Sequence, residues 1–277
     1  MPPTPIPYTE WPAVRGITSL SEAEGVRLAE TLPVIPWFVL SYGGLRHGLD
    51  RAFVAGSFDD PEAVVIQHRA SPEEPEYFGK DPEAGWSLLS RIPGWFCVNG
   101  PTEDMRRLVK VLEREVRLPY HWLGDLFYTL ETPPRRHTHP AVRLLDVADI
   151  PLIEQARPEL LIGGYRTYEE ALTEGTAAAA IIDNRIVALA ENSGTNARYA
   201  DIGVKTLEPY RRQGLSSAAV YLVAQRLQAR GLTPIWSTGS HNVASQAVAT
   251  KVGFRRHGRG EYLVYDGLKG TGGYRPA

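Results

Sequence analysis

The stretch Tyr210-Arg211-Arg212-Gln213-Gly214-Leu215-Ser216 limits the fold of this chain more than any other, because it ends a strand-like run, Tyr199 to Thr206, and opens an amphipathic helix. In that helix Leu215, Ala218, Ala219, Leu222, Val223 and Leu227 recur at helical spacing, with a stop at Gly231. A chain that leaves a strand through a glycine and enters a helix presents the first-turn N–H groups, unpaired within the helix, to whatever lies before them. That junction suits an anion. Glycine lets the backbone come close, the helix dipole favours negative charge, and Arg211 and Arg212 add positive charge beside the donors. The residues alone point to a phosphate-bearing ligand and leave a dinucleotide, a nucleoside triphosphate or a related compound open.

The surrounding pattern alternates strands and helices. A proline-rich polar stretch, Thr132 to Pro140, cannot continue a helix or a central strand and divides the 277 residues nearly in half. The organisation expected is a mixed α/β segment over 1–132, a linker over 133–140, a second domain over 141–268 and a loose glycine-rich tail over 269–277. In the first half, Ser21 and Glu24 form a capping-box pattern that starts a helix toward Leu32. Arg51 to Phe58, Glu62 to His68, Trp95 to Val98 and His121 to Leu130 read as strands, and Thr102 caps a helix over Glu103 to Val116. In the second half the strand Ala141 to Leu145 precedes helices near Asp149 to Arg157 and Thr167 to Glu174. Three strands follow in hairpin order, Ala177 to Ile182, Arg185 to Glu191 and Tyr199 to Thr206, with Asn192 to Asn196 as a loop. Beyond the glycine loop and its helix come the strand Pro234 to Ser237, the helix Val243 to Val252 and the strand Glu261 to Tyr265. The fold class is α+β (mixed α/β).

Bulk chemistry removes several classes of function. An apolar share of 43% against 22% charged residues gives enough material for real cores, and a formal net charge of −2 argues against a general nucleic-acid or membrane-surface binder. Cys97 is the one cysteine, which excludes an intramolecular disulfide and a zinc site built on cysteine pairs. It lies in the apolar run Trp95-Phe96-Cys97-Val98, as an inert buried thiol does. His137 and His139 stand in the linker without neighbouring ligands, so no metal site is expected. Met1 to Pro5 has neither the basic start nor the apolar core of a signal peptide, and no apolar run reaches the roughly 20 residues that span a bilayer. A soluble, cytoplasmic protein is expected, and its oligomeric state is not legible.

Two separated motifs carry a family resemblance. Arg211-Arg212-Gln213-Gly214-Leu215-Ser216 resembles the Arg/Gln-x-x-Gly-x-Gly/Ala pyrophosphate loop of the GNAT superfamily of acyl-coenzyme A dependent N-acetyltransferases. Asn242-Val243-Ala244-Ser245, followed by Lys251-Val252-Gly253-Phe254, is similar to that family's later helix motif. The order of elements from Ala141 to Tyr265 also fits, with a central, mostly antiparallel sheet flanked by helices. The wording around Trp236-Ser237 and Asn242 to Phe254 looks most like the zwittermicin-resistance type. Nothing before Thr132 matches the loop, although the element order there is similar to a degenerate copy of the same fold, which would shape the acceptor pocket.

The resemblance implies acetyl-coenzyme A as cosubstrate and direct transfer to an amine of a small molecule or peptide. Val204, Lys205 and Thr206 would pair with pantetheine, and Arg211, Arg212, Gln213, Gly214, Leu215, Ser216 and Ser217 would cradle the pyrophosphate. Asn242 and Ser245 would touch the pantetheine or the reacting end. A lysine-like amine has a pKa near 10.4, so a base must take its proton before it attacks. Asp201 is the first choice for that base and Glu191 the second, with Ser245 also near the chemistry. Two departures matter: Ser216 replaces the usual Gly or Ala, and Ala249 stands where many members carry a tyrosine proposed to protonate the leaving thiolate. Tyr262 is a possible substitute acid. The competing readings are a non-catalytic acyl-coenzyme A sensor and a transferase using a longer acyl donor.

Overall fold

The computed structural model describes residues 6, 11–12, 14–160 and 162–276; the reading of Met1 to Pro5 lies outside the described residues. The chain forms two compact units. One, here the N unit, takes Gly44–Asp125 and Arg259–Ala277; the other, the C unit, takes Leu32–Gly43 and Leu126–Gly258, with the first 31 residues divided between them. Each has a sheet flanked by helices, a mixed α/β fold as expected. The proline-rich segment 133–140 falls within the C unit.

The N unit begins with α1 (Glu22–Thr31), whose start is the expected capping box: Ser21 Oγ accepts from Glu24 N–H, and Glu24 accepts in return from Ser21 N–H at 2.8 Å. A second helix, α2 (Val39–Arg46), runs across the division at Gly43/Gly44 and precedes the strands β1 (Arg51–Gly56), β2 (Pro61–His68) and β3 (Ser71–Gly79). Then come α3 (Pro82–Leu89), β4 (Cys97–Gly100), α4 (Thr102–Glu115) and β5 (His121–Thr129). Strand β3 and helix α2 were not expected. In β3 two prolines and three glutamates mask a strand whose Tyr77 is nonetheless fully buried. Thr102 is the first residue of α4 rather than its cap; the cap position is Pro101, with no side-chain bond.

The N-unit sheet has the order β1-β2-β3-β4-β11, β11 being the final strand (Arg255–Val264), of which residues 259–264 belong here. Phe53, Val65 and Tyr77 of this sheet pack on Leu88 and Leu89 of α3 and on Met105, Leu108 and Leu112 of α4. Cys97 is buried, and burial pushes its thiol well above the ordinary value, so it is inert. The tail expected to be loose is docked. Tyr274 donates its N–H to Trp95 O and accepts from Gly94 N–H, both at 2.8 Å, and its ring stacks on Trp95 at 4.7 Å.

The C unit contains β6 (Val142–Leu144), α5 (Ile150–Glu154), α6 (Tyr168–Thr173), β7 (Ala177–Ile182), β8 (Arg185–Thr195), β9 (Tyr199–Thr206), α7 (Leu215–Ala229), β10 (Thr233–Gly239) and α8 (Val243–Val252). Its sheet order is β5-β10-β9-β8-β7-β6, antiparallel from β6 through β9 and parallel between β9 and β10. Asp183 and Asn184 turn β7 into β8 with positive φ, as that dipeptide permits. One sheet face, with Ala190, Ala200 and Ile202, packs on Ala219, Val220, Val223 and Leu227 of α7 and on Ala249 and Val252 of α8. The strand β8 runs on through Thr195, where a loop was expected, because a bulge between Asn192 and Gly194 absorbs one residue without ending the ladder.

The element order β1-β2-β3-α3-β4-α4-β5 recurs as β7-β8-β9-α7-β10-α8-β11, and in both series the third and fourth strands run parallel. The last strand of each series crosses the division between units, at Asp125/Leu126 in β5 and Gly258/Arg259 in β11. Among the described residues no helix is long and apolar enough to cross a membrane.

Candidate active site

The parallel ladder between β9 and β10 covers only Tyr199–Thr233, Ala200–Pro234 and Asp201–Ile235. Beyond Asp201 the two strands part, so the β10-facing edge of residues 202–206 has no ladder partner among the described residues. This edge leads directly to the glycine loop. A turn over Glu208–Tyr210 brings the chain to Arg211, whose Nε donates to Thr206 O at 3.3 Å, and Arg212 takes a positive φ of 63°. Gly214 caps α7 at φ 82°, and no side chain caps the helix. A Cβ at Gly214 would meet nothing within 4 Å, so the space before the first-turn amides is open. Open space, uncapped amides and the exposed Arg211 and Arg212 together fit a phosphate group. Thr206 Oγ1 is buried without a hydrogen-bond partner at the head of the same slot, as a group awaiting a polar ligand would be.

The individual loop residues divide by role. The Leu215 side chain is buried with Ala180, Val187 and Ala188, so only its backbone faces the slot, and Ser217 is likewise buried. Gln213 donates to Pro209 O at 3.3 Å, which holds the loop's shape. Asn242 accepts from Ser245 N–H and so caps α8, while Ser245 Oγ accepts from the Trp236 indole at 3.0 Å. The first holds the start of α8 and the second ties β10 to α8, in addition to any contact with ligand. Ala249 is 0% exposed in the core and supplies no polar group. Tyr128 on β5 belongs to the same core cluster, and its hydroxyl donates to Gln246 Oε1 of α8 at 3.4 Å. Tyr262 belongs to the N unit, on β11 opposite Asn99, and burial holds its phenol well above its ordinary pKa.

The sheet face turned away from α7 carries the carboxylates. Alternation along β9 puts Asp201, Gly203 and Lys205 there, and Glu191 of β8 pairs with Gly203. The bulge adds Ser193 to the group, its Oγ donating to Asp201 Oδ2 at 3.2 Å. Asn192 clamps the bulge: its Nδ2 donates to Gly194 O and Asp201 O, and its Oδ1 accepts from Tyr165 and Thr195 hydroxyls. Gly164, at φ 82°, lies so close that a Cβ would overlap Ser193 O, and next to it Gly163 N–H donates to Glu191 Oε2 at 2.9 Å.

Glu191 is 5% exposed and Asp201 6%. Burial pushes the Glu191 carboxyl up to about 7; Lys205, 3.8 Å away, and the Gly163 N–H oppose the rise, and Asp201 adds to it. A carboxyl at that value is half ionised at neutral pH, where an ordinary one is fully ionised and a weak base. Asn192, Ser193, Gly163 and Tyr165 were not singled out from the sequence. The glycine at 194, in the short stretch between two strand-like runs, was the available sign of a bulge.

Residues 141–265 match the family described as GNAT acetyltransferase. A comparison with curated proteins finds no match. Among solved structures, a GCN5-related N-acetyltransferase-like protein from Streptococcus suis aligns at 17% identity and TM-score 0.60, covering 88% of this chain and 100% of that one. A Drosophila protein aligns at 15% identity and TM-score 0.61 over 90% and 98%. A tandem GNAT protein from the clavulanic acid biosynthesis pathway aligns at 13% identity and TM-score 0.53 over 90% and 97%. At these identities the structures speak for the fold alone. Motifs, fold and family match agree over residues 141–265, the part of this chain that is similar to the GNAT acetyltransferases.

Proposed function

We propose that the chain transfers an acetyl group from acetyl-coenzyme A to an amine of a small molecule or peptide, with the C unit as the catalytic part. The observation that carries this reading is the end of the β9–β10 ladder at Asp201–Ile235, which leaves an open strand edge running into the uncapped N-terminus of α7. When bound, the cosubstrate supplies an activated thioester. Backbone groups of Val204, Lys205 and Thr206 pair along its pantetheine arm, and the amides of Gly214 to Ser217, with Arg211 and Arg212, hold the pyrophosphate. The Asn242 carboxamide keeps its NH2 group for a polar contact at the slot, and Ser245 fixes Trp236 beside it.

Glu191 is the base in this proposal, and Asp201 its partner. An ammonium acceptor near pKa 10.4 gives a proton to Glu191 far more readily than to a carboxylate of ordinary pKa. Asp201, oriented by Ser193, adds electrostatically to the proton affinity of Glu191. The amine nitrogen then bonds directly to the thioester carbonyl carbon, the C–S bond breaks and coenzyme A leaves as its thiolate, which takes a proton from water; the buried thiol of Cys97 takes no part. In its Asn242 to Phe254 wording the domain is nearest the zwittermicin-resistance type.

The decisive experiment is thiol release from acetyl-coenzyme A across a panel of amines, with Glu191→Gln as control. Turnover lost at least 100-fold in the variant supports the reading. A second reading, a coenzyme-binding sensor without turnover, is favoured by the fully buried Ala249, where no proton donor stands. Coenzyme binding with no thiol release on any amine would select it.

A further inference from the structure

The two strand–helix series differ at the place where the C unit keeps its slot. In the N unit β3 stands for β9, α3 for α7, β4 for β10 and α4 for α8. There β3 and β4 share one parallel pair, Glu76 with Asn99. Gly100 follows so closely on β3 that a Cβ at that position would overlap the Tyr77 carbonyl oxygen. The Asn99 side-chain amide bridges the strands, donating to Glu74 O at 2.9 Å and Pro75 O at 3.3 Å. This ties β4 to β3 on the near side of the pair, where β9 and β10 are also joined.

The first turn of α4 closes the other end. Asp104 Oδ2 accepts from Gly79 N–H at 3.0 Å, Arg107 donates to Gly79 O at 3.0 Å, and the two side chains are themselves paired at 2.5 Å. The phosphate position is filled as well. Asp81 caps α3, accepting from Glu83 N–H at 2.9 Å and Ala84 N–H at 3.4 Å, and Glu83 places a second carboxylate in the first turn. The corresponding helix in the C unit has an uncapped start and two arginines before it. A phosphate approaching α3 meets satisfied amides and negative charge where the C unit offers free amides and positive charge.

We infer that the N unit is a closed copy of the coenzyme-binding fold, in which its own side chains have taken over the contacts of the ligand, so that one chain takes up one acyl-coenzyme A. The inference rests on the coenzyme reading of the C unit. Asp104 and Arg107 staple the end of β3 to α4, and Asp81 holds the start of α3. Their role is to seal this slot, and removing one loosens the N unit without creating a second site.

Calorimetry of the full chain with coenzyme A, hydrogen exchange with and without it, and thermal unfolding of Asp104→Ala and Asp104→Asn test this. One equivalent per chain is expected, with new amide protection in 203–217 and none in 79–84. Asp104→Ala is expected to lower the unfolding midpoint by roughly 2–5 °C, Asp104→Asn by less because it keeps an acceptor, both with unchanged stoichiometry. Two equivalents per chain, protection of 79–84, or a second equivalent gained by Asp104→Ala would overturn it. A chain that binds no coenzyme removes the reading of the C unit instead, and there the thermal arm still decides: an unchanged midpoint in Asp104→Ala overturns the sealed slot.

Discussion

Replacing Glu191 by Gln should make the protein less active and more stable, and only above a defined pH. In the folded chain the carboxyl titrates at about 7 against an ordinary value of 4.5, because burial penalises its charge more than Lys205 and Gly163 N–H repay. The folded state therefore holds a proton that the unfolded state has released between these values. Stability falls as pH rises through that window, and the whole penalty is present above 7. At 1.36 kcal/mol per pH unit the penalty is about 3 kcal/mol. A Gln has no charge to desolvate, and its carbonyl still accepts from Gly163 N–H, so the variant recovers about 2–3 kcal/mol at pH 8 and almost nothing at pH 4.5. For a protein of this size that is a rise in midpoint of roughly 5–10 °C at pH 8. Thermal unfolding of both proteins from pH 4.5 to 8.5 measures it without knowledge of the acceptor. Parallel curves for wild type and variant across that range would refute the account of Glu191. In turnover, the wild type should lose activity as pH falls through about 7, and the variant's residual rate should lack that limb.

Two neighbouring residues give further expectations. Gly164→Ala places a Cβ against Ser193 O at a φ of 82°, so it should cost about 1–3 kcal/mol and shift the loop that carries Gly163. Loss of the Gly163 N–H bond removes an influence that lowers the Glu191 pKa, so the acid limb of the activity profile should move to higher pH; a limb that stays in place would show that this bond is not felt at Glu191. Asn192→Ala withdraws the donor from Gly194 O and Asp201 O in a buried site, which should cost about 2–4 kcal/mol and relax the bulge. Its turnover should fall while coenzyme affinity, measured by calorimetry, stays near that of the wild type. A matching loss of coenzyme affinity would mean the bulge supports the slot and not the acceptor side.

What the sequence disclosed and what it withheld have physical causes. The glycine loop was legible because Gly214 has to take a positive φ before a helix and the arginines stand next to it. The Asn242 to Phe254 helix was legible because its cap and its αL terminator at Gly253 are local signals. Most strands with alternating apolar residues were legible too. Strand β3 was hidden because its prolines and glutamates oppose strand propensity and its place is set by pairing with β2. The tail read as loose from its glycines, but Tyr274 stacks on Trp95, 179 positions earlier in the chain, a contact with no local sign. Asp201 and Glu191 were both visible as strand carboxylates. Their ranking was not, since the raised pKa of Glu191 depends on burial beneath a loop whose Gly163 lies 28 residues away. The exchange of final strands between units was equally out of reach, because each half of the chain reads as a series ending in its own strand.

The central claim is that the slot between β9 and β10, ending on α7, holds the coenzyme. Calorimetry with acetyl-coenzyme A on the wild type and on Gly214→Val tests it most directly. A valine at φ 82° is strained and would project into the space that is open before the α7 amides. With circular dichroism showing both proteins folded, the account predicts saturable binding by the wild type and at least a tenfold loss in the variant. Equal affinity in the two, or no binding by the wild type, would contradict it.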